Sequence, residues 1–337
     1  MFAKEITIMC RLRSFIERLK NQPRVFIQAH DFPDHDAVSS AFALSELLAL
    51  EGIASHIIYN GSIDRSSIHT MIDTCNIQIT HWQDSDIHKN DITITVDGCI
   101  GEKNMLDTPG IEIAVIDHHQ VTPPSDLWYS DVRPEYGACA SILVEYYQEL
   151  GHDLPAPVAT ALHIGLNIDT AHLTRGYSAS DIEAFATLHA NSNTHIVNKI
   201  CKNTLESKDL TGFKDLLDAA TIHHRVAFAY LEQCPSKNIL GILGDFMIAV
   251  EEIDAVIIAA HMHNKIHVSL RSEIAEFDVA ALVRKVLNND KLGFGGGHSH
   301  MAGGVIIHRD IIEAPSPAET VSTLFFDNIE PQFTARP

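Results

Sequence analysis

With 337 residues, of which 45% are hydrophobic and 20% charged, the chain is long enough for two domains and excludes a disordered or fibrous protein. A net charge of −20, from 24 basic and 44 acidic side chains, excludes a surface that holds long duplex nucleic acid by its phosphates. Six cysteines without a C-x-x-C pair exclude a zinc ribbon or dithiol motif, and no apolar run approaches the ~18 residues of a membrane helix.

In chain order, MFAKEITIMCRLRSFIERLK predicts an amphipathic helix without the apolar core or cleavage site of a signal peptide, which places the protein in the cytoplasm. RVFIQA, residues 24–29, reads as a strand and ends directly on His30. There follows HDFPDHD, residues 30–36, whose three carboxylates repel one another unless a positive charge lies between them. AVSSAFALSELLALEG reads as a helix with Asp36 at its start and Gly52 at its end, and IASHIIY returns as a strand.

DITITV, residues 91–96, is a strand that ends on Asp97, and IEIAVI, residues 111–116, is a strand that ends on Asp117, His118 and His119. PVATALHIGLNIDT predicts a helix with Asp169 near its C-terminus, where the helix dipole disfavours a carboxylate unless a cation compensates it. Strands alternating with helices predict an α/β fold with a mostly parallel sheet and helices on both faces. Three separate strands thus deliver Asp or His just past their last apolar residue, at the carboxyl edge where open α/β sheets bind ligands.

Residues 191–230 read as a helical connector between a domain at 1–190 and a smaller α/β domain at 231–337, with the active site in the cleft between the two. In HMHNKIHVSLRS the alternation predicts one strand with His261, His263, Lys265, His267, Ser269 and Arg271 on an unburied polar face. GGGH, residues 295–298, reads as a glycine-rich loop whose backbone can approach a ligand. His223, His224, His261 and His263 are expected in surface or packing roles, and the cysteines as reduced bystanders.

Hard oxygen donors with some imidazole suit Mn²⁺ or Mg²⁺, and the imidazoles tilt the choice to manganese. His30, Asp34, Asp36, Asp97, His118 and Asp169 could hold two ions with one aspartate bridging them. Two such ions ~4 Å apart clamp a phosphoryl group and activate a water, so hydrolysis at phosphorus is the expected reaction.

The same motifs resemble those of the DHH phosphoesterases. HDFPDHDA resembles the family's H-x-x-P-D-G-D-A, Asp97 fits the second motif, Asp117 to His119 the third and NIDT the fourth, while VSLRS and GGGHSHMAGG resemble its DHH-associated C-terminal domain. The resemblance implies that His30, Asp34 and Asp97 bind one manganese and Asp36, Asp97, His118 and Asp169 the second. It implies further that Asp117 orients a neighbouring histidine and that His119 meets the scissile phosphate or leaving group. Arg271, Gly296, Gly297 and His298 would hold the far end of the substrate. His35 departs from the usual glycine, and NIDT from the commoner T-D-T, without removing a ligand.

The expected activity is manganese-dependent hydrolysis of short single-stranded oligonucleotides or small nucleotides: nanoRNA, 3′-phosphoadenosine 5′-phosphate, or linear or cyclic dinucleotides. A phosphatase acting on polyphosphate or pyrophosphate is the alternative, and a non-catalytic metal-binding scaffold is disfavoured because all six ligand positions are present. No membrane partner is expected, and a homodimer is compatible with the sequence.

Overall fold

The computed structural model describes residues 2–202, 205–234, 237–274, 276–289 and 291–329. The chain divides into two compact units, Met1–Thr204 and Leu205–Pro337.

The first unit runs α1 (Phe2–Leu19), β1 (Val25–Ala29), α2 (His35–Leu50), β2 (Ser55–Tyr59), α3 (Ser66–Cys75) and β3 (Ile79–His81). After a 3₁₀ turn at Trp82–Asp84 come β4 (Ile92–Val96), β5 (Ile111–Asp117), β6 (Tyr129–Val132), α4 (Cys139–Leu150), α5 (Ala156–Asp169), α6 (Ala179–Asn191) and α7 (Thr194–Lys202). The six strands form a wholly parallel sheet in the order β3-β2-β1-β4-β5-β6. β1 and β4 are buried at every position, as parallel strands covered on both faces require. Strand order reverses between β1 and β4, so the connections leaving these two strands diverge and open a crevice at their carboxyl ends. β3 and β6, three and four residues long, are edge strands too short to carry a periodic signal.

In the second unit, α8 (Asp209–Ala219), β7 (Thr221–His223), β8 (Val226–Leu231), α9 (Lys237–Ile248), β9 (Ala255–Met262) and β10 (Lys265–Ser272) come first. Next is α10 (Val279–Val283), which runs into a π-helical turn at Arg284–Asn289, then β11 (Gly293–His298), β12 (Met301–Ile306), α11 (Arg309–Ile312) and α12 (Pro317–Phe326). The sheet order is β11-β12-β10-β9-β8-β7, antiparallel except between β8 and β9.

Two readings from sequence are corrected here. Of the stretch read as a connector, 191–230, α7 lies in the first unit, while α8, β7 and most of β8 lie in the second. β8 is buried throughout, a continuous apolar run that periodicity does not separate from a helix.

The segment HMHNKIHVSLRS is a hairpin, not one strand, because His263 and Asn264 take φ of 46° and 58° and turn β9 back into β10. His261 therefore pairs with Ile266, and Arg271 stands opposite Val256, inside the sheet. Arg271 is buried under α9, with its Nε donating to Asp245 Oδ1 at 2.6 Å and Nη2 donating to the Gly241 carbonyl at 3.2 Å. The helix makes room for it with Gly241 and Gly244, where an added Cβ would come within 3.1 and 3.2 Å of the arginine.

Finally, GGGH is the end of edge strand β11 and not a loop. Gly297 has φ of 141°, and a Cβ there would lie 2.4 Å from the Met301 carbonyl, so glycine is required by the backbone.

Candidate metal centre

The loop leaving β1 carries the first donors. Asp34 is the N-cap of α2: its Oδ1 accepts the Asp36 and Ala37 amides at 2.9 and 3.1 Å. This holds His35 and Asp36 in the first helical turn. His30 donates from Nδ1 to the Asp31 carbonyl at 2.9 Å, which leaves Nε2 as the lone-pair nitrogen. That nitrogen lies 3.9 Å from Asp34 Oδ1 and 3.7 Å from Asp97 Oδ2.

His118 is set in the same way from the other side. A carbonyl can only accept, so the 3.1 Å contact between Nδ1 and the Tyr136 carbonyl puts the proton on Nδ1. Its Nε2 lies 3.3 Å from Asp97 Oδ1 and 3.4 Å from Asp169 Oδ2. Both histidines thus present a ligand nitrogen to the same carboxylate, each fixed by a backbone acceptor behind it.

Asp97 follows β4 directly, with φ of 58° and its amide bonded to the Ile116 carbonyl at 2.9 Å. A left-handed non-glycine residue is uncommon, and such conformations concentrate at functional sites. Ala171, His172 and Leu173, just after Asp169, are left-handed as well, at 47°, 60° and 58°. Asp97 Oδ1 is fully enclosed and accepts no well-formed hydrogen bond from the described residues. A buried carboxylate oxygen in that state costs free energy that a cation would return.

Asp36 differs from the others. Its Oδ2 accepts the Cys139 amide at 2.6 Å, and its Oδ1 accepts the Ala140 amide at 2.9 Å and Ser40 Oγ at 3.2 Å. The N-cap of α4 is Ala138, which offers no capping side chain, so Asp36 satisfies the first free amides of that helix from a distant part of the chain. His118 and Asp36 are therefore both held by the short segment from Tyr136 to Ala140. These backbone groups escaped the sequence reading; an apolar N-cap in YGACAS was the available sign that a remote acceptor must exist.

Two groups of donor atoms lying within 4.8 Å of one another result: His30, Asp34 and Asp97, and Asp36, His118 and Asp169. Asp97 also approaches His118 and so stands between the two groups. A third group, Asp97, His118 and His119, meets the same distance test. His119 is a poor ligand there, because its Nδ1 donates to Asp117 Oδ1 at 2.8 Å and its amide donates to the same oxygen at 3.0 Å. Asp117 thus orients His119, whose side chain is 35% exposed.

The electrostatics are those of a site short of positive charge. Burial, then the charges of Asp97 and Asp169, push Asp36 well above the usual carboxylate range, against the charge of His118. Burial and then Asp34 raise Asp169. Against burial, the hydrogen bond and charge of Asp34, with the charge of Asp97, raise His30 to about 10, and Asp169 and Asp97 raise His118. Metal-free, the cluster holds protons where cations would sit. Because ligand imidazoles must be neutral, Mn²⁺ binding should release protons and tighten as pH rises from 6 toward about 10; calorimetry in buffers of different ionisation enthalpy reads both. An affinity flat across that range would remove His30 and His118 from the ligand set. In the metal-free protein, the stabilisation due to His30 is complete below 6.5 and is lost as pH rises through about 10.

Of the other site residues read from sequence, Arg271 is buried against α9, and Gly296, Gly297 and His298 lie on β11, all in the second unit. A Cβ on Gly296 would meet nothing within 4 Å, so its backbone is open, and His298 is exposed with its ring stacked on His300 at 5.9 Å. No helix among the described residues is long and apolar enough to cross a membrane.

Comparison with known proteins decides the family. The DHH family N-terminal domain matches residues 24–166 and the DHHA1 domain matches residues 223–315. The chain belongs to the DHH family. An uncharacterized protein of Methanocaldococcus jannaschii is 29% identical over 309 residues, which cover 91% of this chain and 63% of that one. The DHH chain therefore spans less than two thirds of that relative. An exopolyphosphatase-related protein from Bacteroides fragilis shares its fold, with a TM-score of 0.76 at 16% identity, covering 94% of this chain and 96% of that one. RecJ of Thermus thermophilus, solved with Mn²⁺, superposes with a TM-score of 0.56 at 16% identity, covering 95% of this chain and 54% of RecJ. In all three comparisons the likeness runs through both units of this DHH protein.

Proposed function

We propose that this DHH protein is a manganese-dependent phosphoesterase that hydrolyses short single-stranded oligonucleotides or small nucleotides. The observation that carries the proposal is the pair of donor groups on either side of Asp97, at the carboxyl edge where strand order reverses. His30, Asp34 and Asp97 would hold one divalent cation, and Asp36, Asp97, His118 and Asp169 the second. Cations bound there supply Lewis acidity toward a phosphoryl oxygen and a nucleophilic water near neutral pH. The buried and unsatisfied Asp97 oxygen and the lone-pair nitrogens of His30 and His118 fit such ions. RecJ, solved with Mn²⁺ and with Mg²⁺, shares this fold, which supports a divalent cation, and the imidazole donors favour manganese of the two.

The chain's own groups divide the remaining work. Against burial, the Asp117 carboxylate raises His119, which favours the protonated imidazole that would donate to the leaving oxygen. The match to the DHHA1 domain supports a nucleotide over pyrophosphate, with Arg271, Gly296, Gly297 and His298 binding the substrate away from the bond that breaks. Arg271→Ala should raise KM for a dinucleotide more than it lowers kcat. Because Arg271 is buried, the same variant should also melt lower, by roughly 2 kcal/mol of stability. A large fall in kcat at unchanged KM would move Arg271 out of substrate binding.

Hydrolysis by the purified protein of RNA dinucleotides, 3′-phosphoadenosine 5′-phosphate, cyclic di-AMP and pyrophosphate, with Mn²⁺ and with chelator, tests the reading. Chelator-sensitive cleavage of the nucleotides supports it, and activity on pyrophosphate alone overturns it. The likeness to an exopolyphosphatase-related protein keeps polyphosphate as the second reading, so a polyphosphate chain belongs in the same panel.

A further inference from the structure

Phe32 lies inside the run HDFPDHD, two residues from His30 and two from Asp34. Its φ is 55°, a left-handed conformation that a bulky residue adopts at a cost of ~1–3 kcal/mol. Asparagine or glycine would take the same turn with less strain, so an aromatic side chain at this place needs a reason.

The surroundings hold the strained turn from several directions. Phe32 donates its amide to the Asn60 carbonyl at 2.9 Å, and Asn60 Oδ1 accepts Trp82 Nε1 at 3.1 Å. Asp31 donates its amide to the Asn104 carbonyl at 2.7 Å and accepts the Leu106 amide at 3.0 Å. The ring rests against Gly61, itself at φ of 79°, where a Cβ would come within 2.7 Å of a ring carbon. Segments following β1, β2, β3 and β4 thus fix this turn, with Gly61 against the ring, yet the residue remains 50% exposed. Core packing is not what the strain secures.

We infer that Phe32 is a stacking platform for a nucleobase of the substrate, on the β2 side of the Asp97 cluster. The inference rests on the reading that the substrate is a nucleotide. Stacking also answers a difficulty of charge: a chain of net charge −20 gains no long-range attraction for a polyanion, whereas an aromatic ring binds the neutral face of a base. Every base offers such a face, so the platform sets a preference for base-bearing over base-free phosphoesters and little preference among bases.

The test compares KM for the dinucleotide pApA with KM for the same sugar-phosphate backbone lacking both bases, using the Mn²⁺-loaded protein. Wild type should favour pApA by about tenfold, at the low end of one base stack. Phe32→Asn, which keeps the left-handed turn, should lose that preference, and Phe32→Trp should keep it. Retention of the preference in Phe32→Asn, or an equal loss of kcat on both substrates, overturns the inference. If wild type cleaves both substrates with equal KM, stacking falls while nucleotide hydrolysis stands. If wild type cleaves neither but does cleave pyrophosphate, the proposed function falls and stacking with it.

Discussion

Asp97→Asn is expected to lower Mn²⁺-dependent turnover by about a thousandfold or more, equivalent to ~4 kcal/mol of transition-state stabilisation. Asparagine is the informative replacement, because it tolerates the φ of 58° that alanine would strain, so the backbone survives while the carboxylate between the two donor groups is lost. The removed charge lies 3.7 Å from His30 and 3.3 Å from His118, and no other described carboxylate approaches both nitrogens. Bound manganese should fall from two ions to one or none, read by metal analysis after gel filtration. Asp97→Ala should be at least as inactive. Substantial manganese-dependent activity in either variant would sink the two-ion assignment.

The second large effect is on stability as well as activity. Asp36→Ala orphans the buried Cys139 and Ala140 amides and frees Ser40, a loss of about 3 kcal/mol, or roughly 10 °C in melting temperature. Relief of repulsion with Asp97 and Asp169 offsets part of this in the metal-free protein, so the difference should widen when Mn²⁺ is added. Asp36→Asn retains an acceptor oxygen and should fall between wild type and alanine in denaturant unfolding, while binding metal no better than alanine. Equal stability of all three proteins would show that α4 does not depend on its remote cap.

How much of this was legible in the chain depends on the range of the cause. β1, α2, β4, β5 and α5 are written in local apolar patterns, and the donors fall at their ends, so the metal cluster could be assembled from strand order alone. β8 was missed because a fully buried strand has no alternation to read. The hairpin was missed because neither His263 nor Asn264 is a usual signal for a reversal, and Arg271 was misplaced because α9 covers the polar face of β10 that alternation reads as exposed. The GGGH segment was misread as a loop because glycine marks both loops and close-packed strands.

By itself the sequence determined the α/β class, the membership that its motifs imply, and which six side chains are candidate donors, because each depends on residue type at short spacing along one element. Only the tertiary structure decided which nitrogen of His30 and His118 faces the carboxylates, since that proton follows from carbonyls at Asp31 and Tyr136. It likewise decided that Asp36 caps a helix 103 residues away and that Asp117 serves His119. The physical reason is common to all of these. Periodicity records which side of an element is buried, whereas hydrogen-bond partners and charge neighbours are set by where distant elements meet.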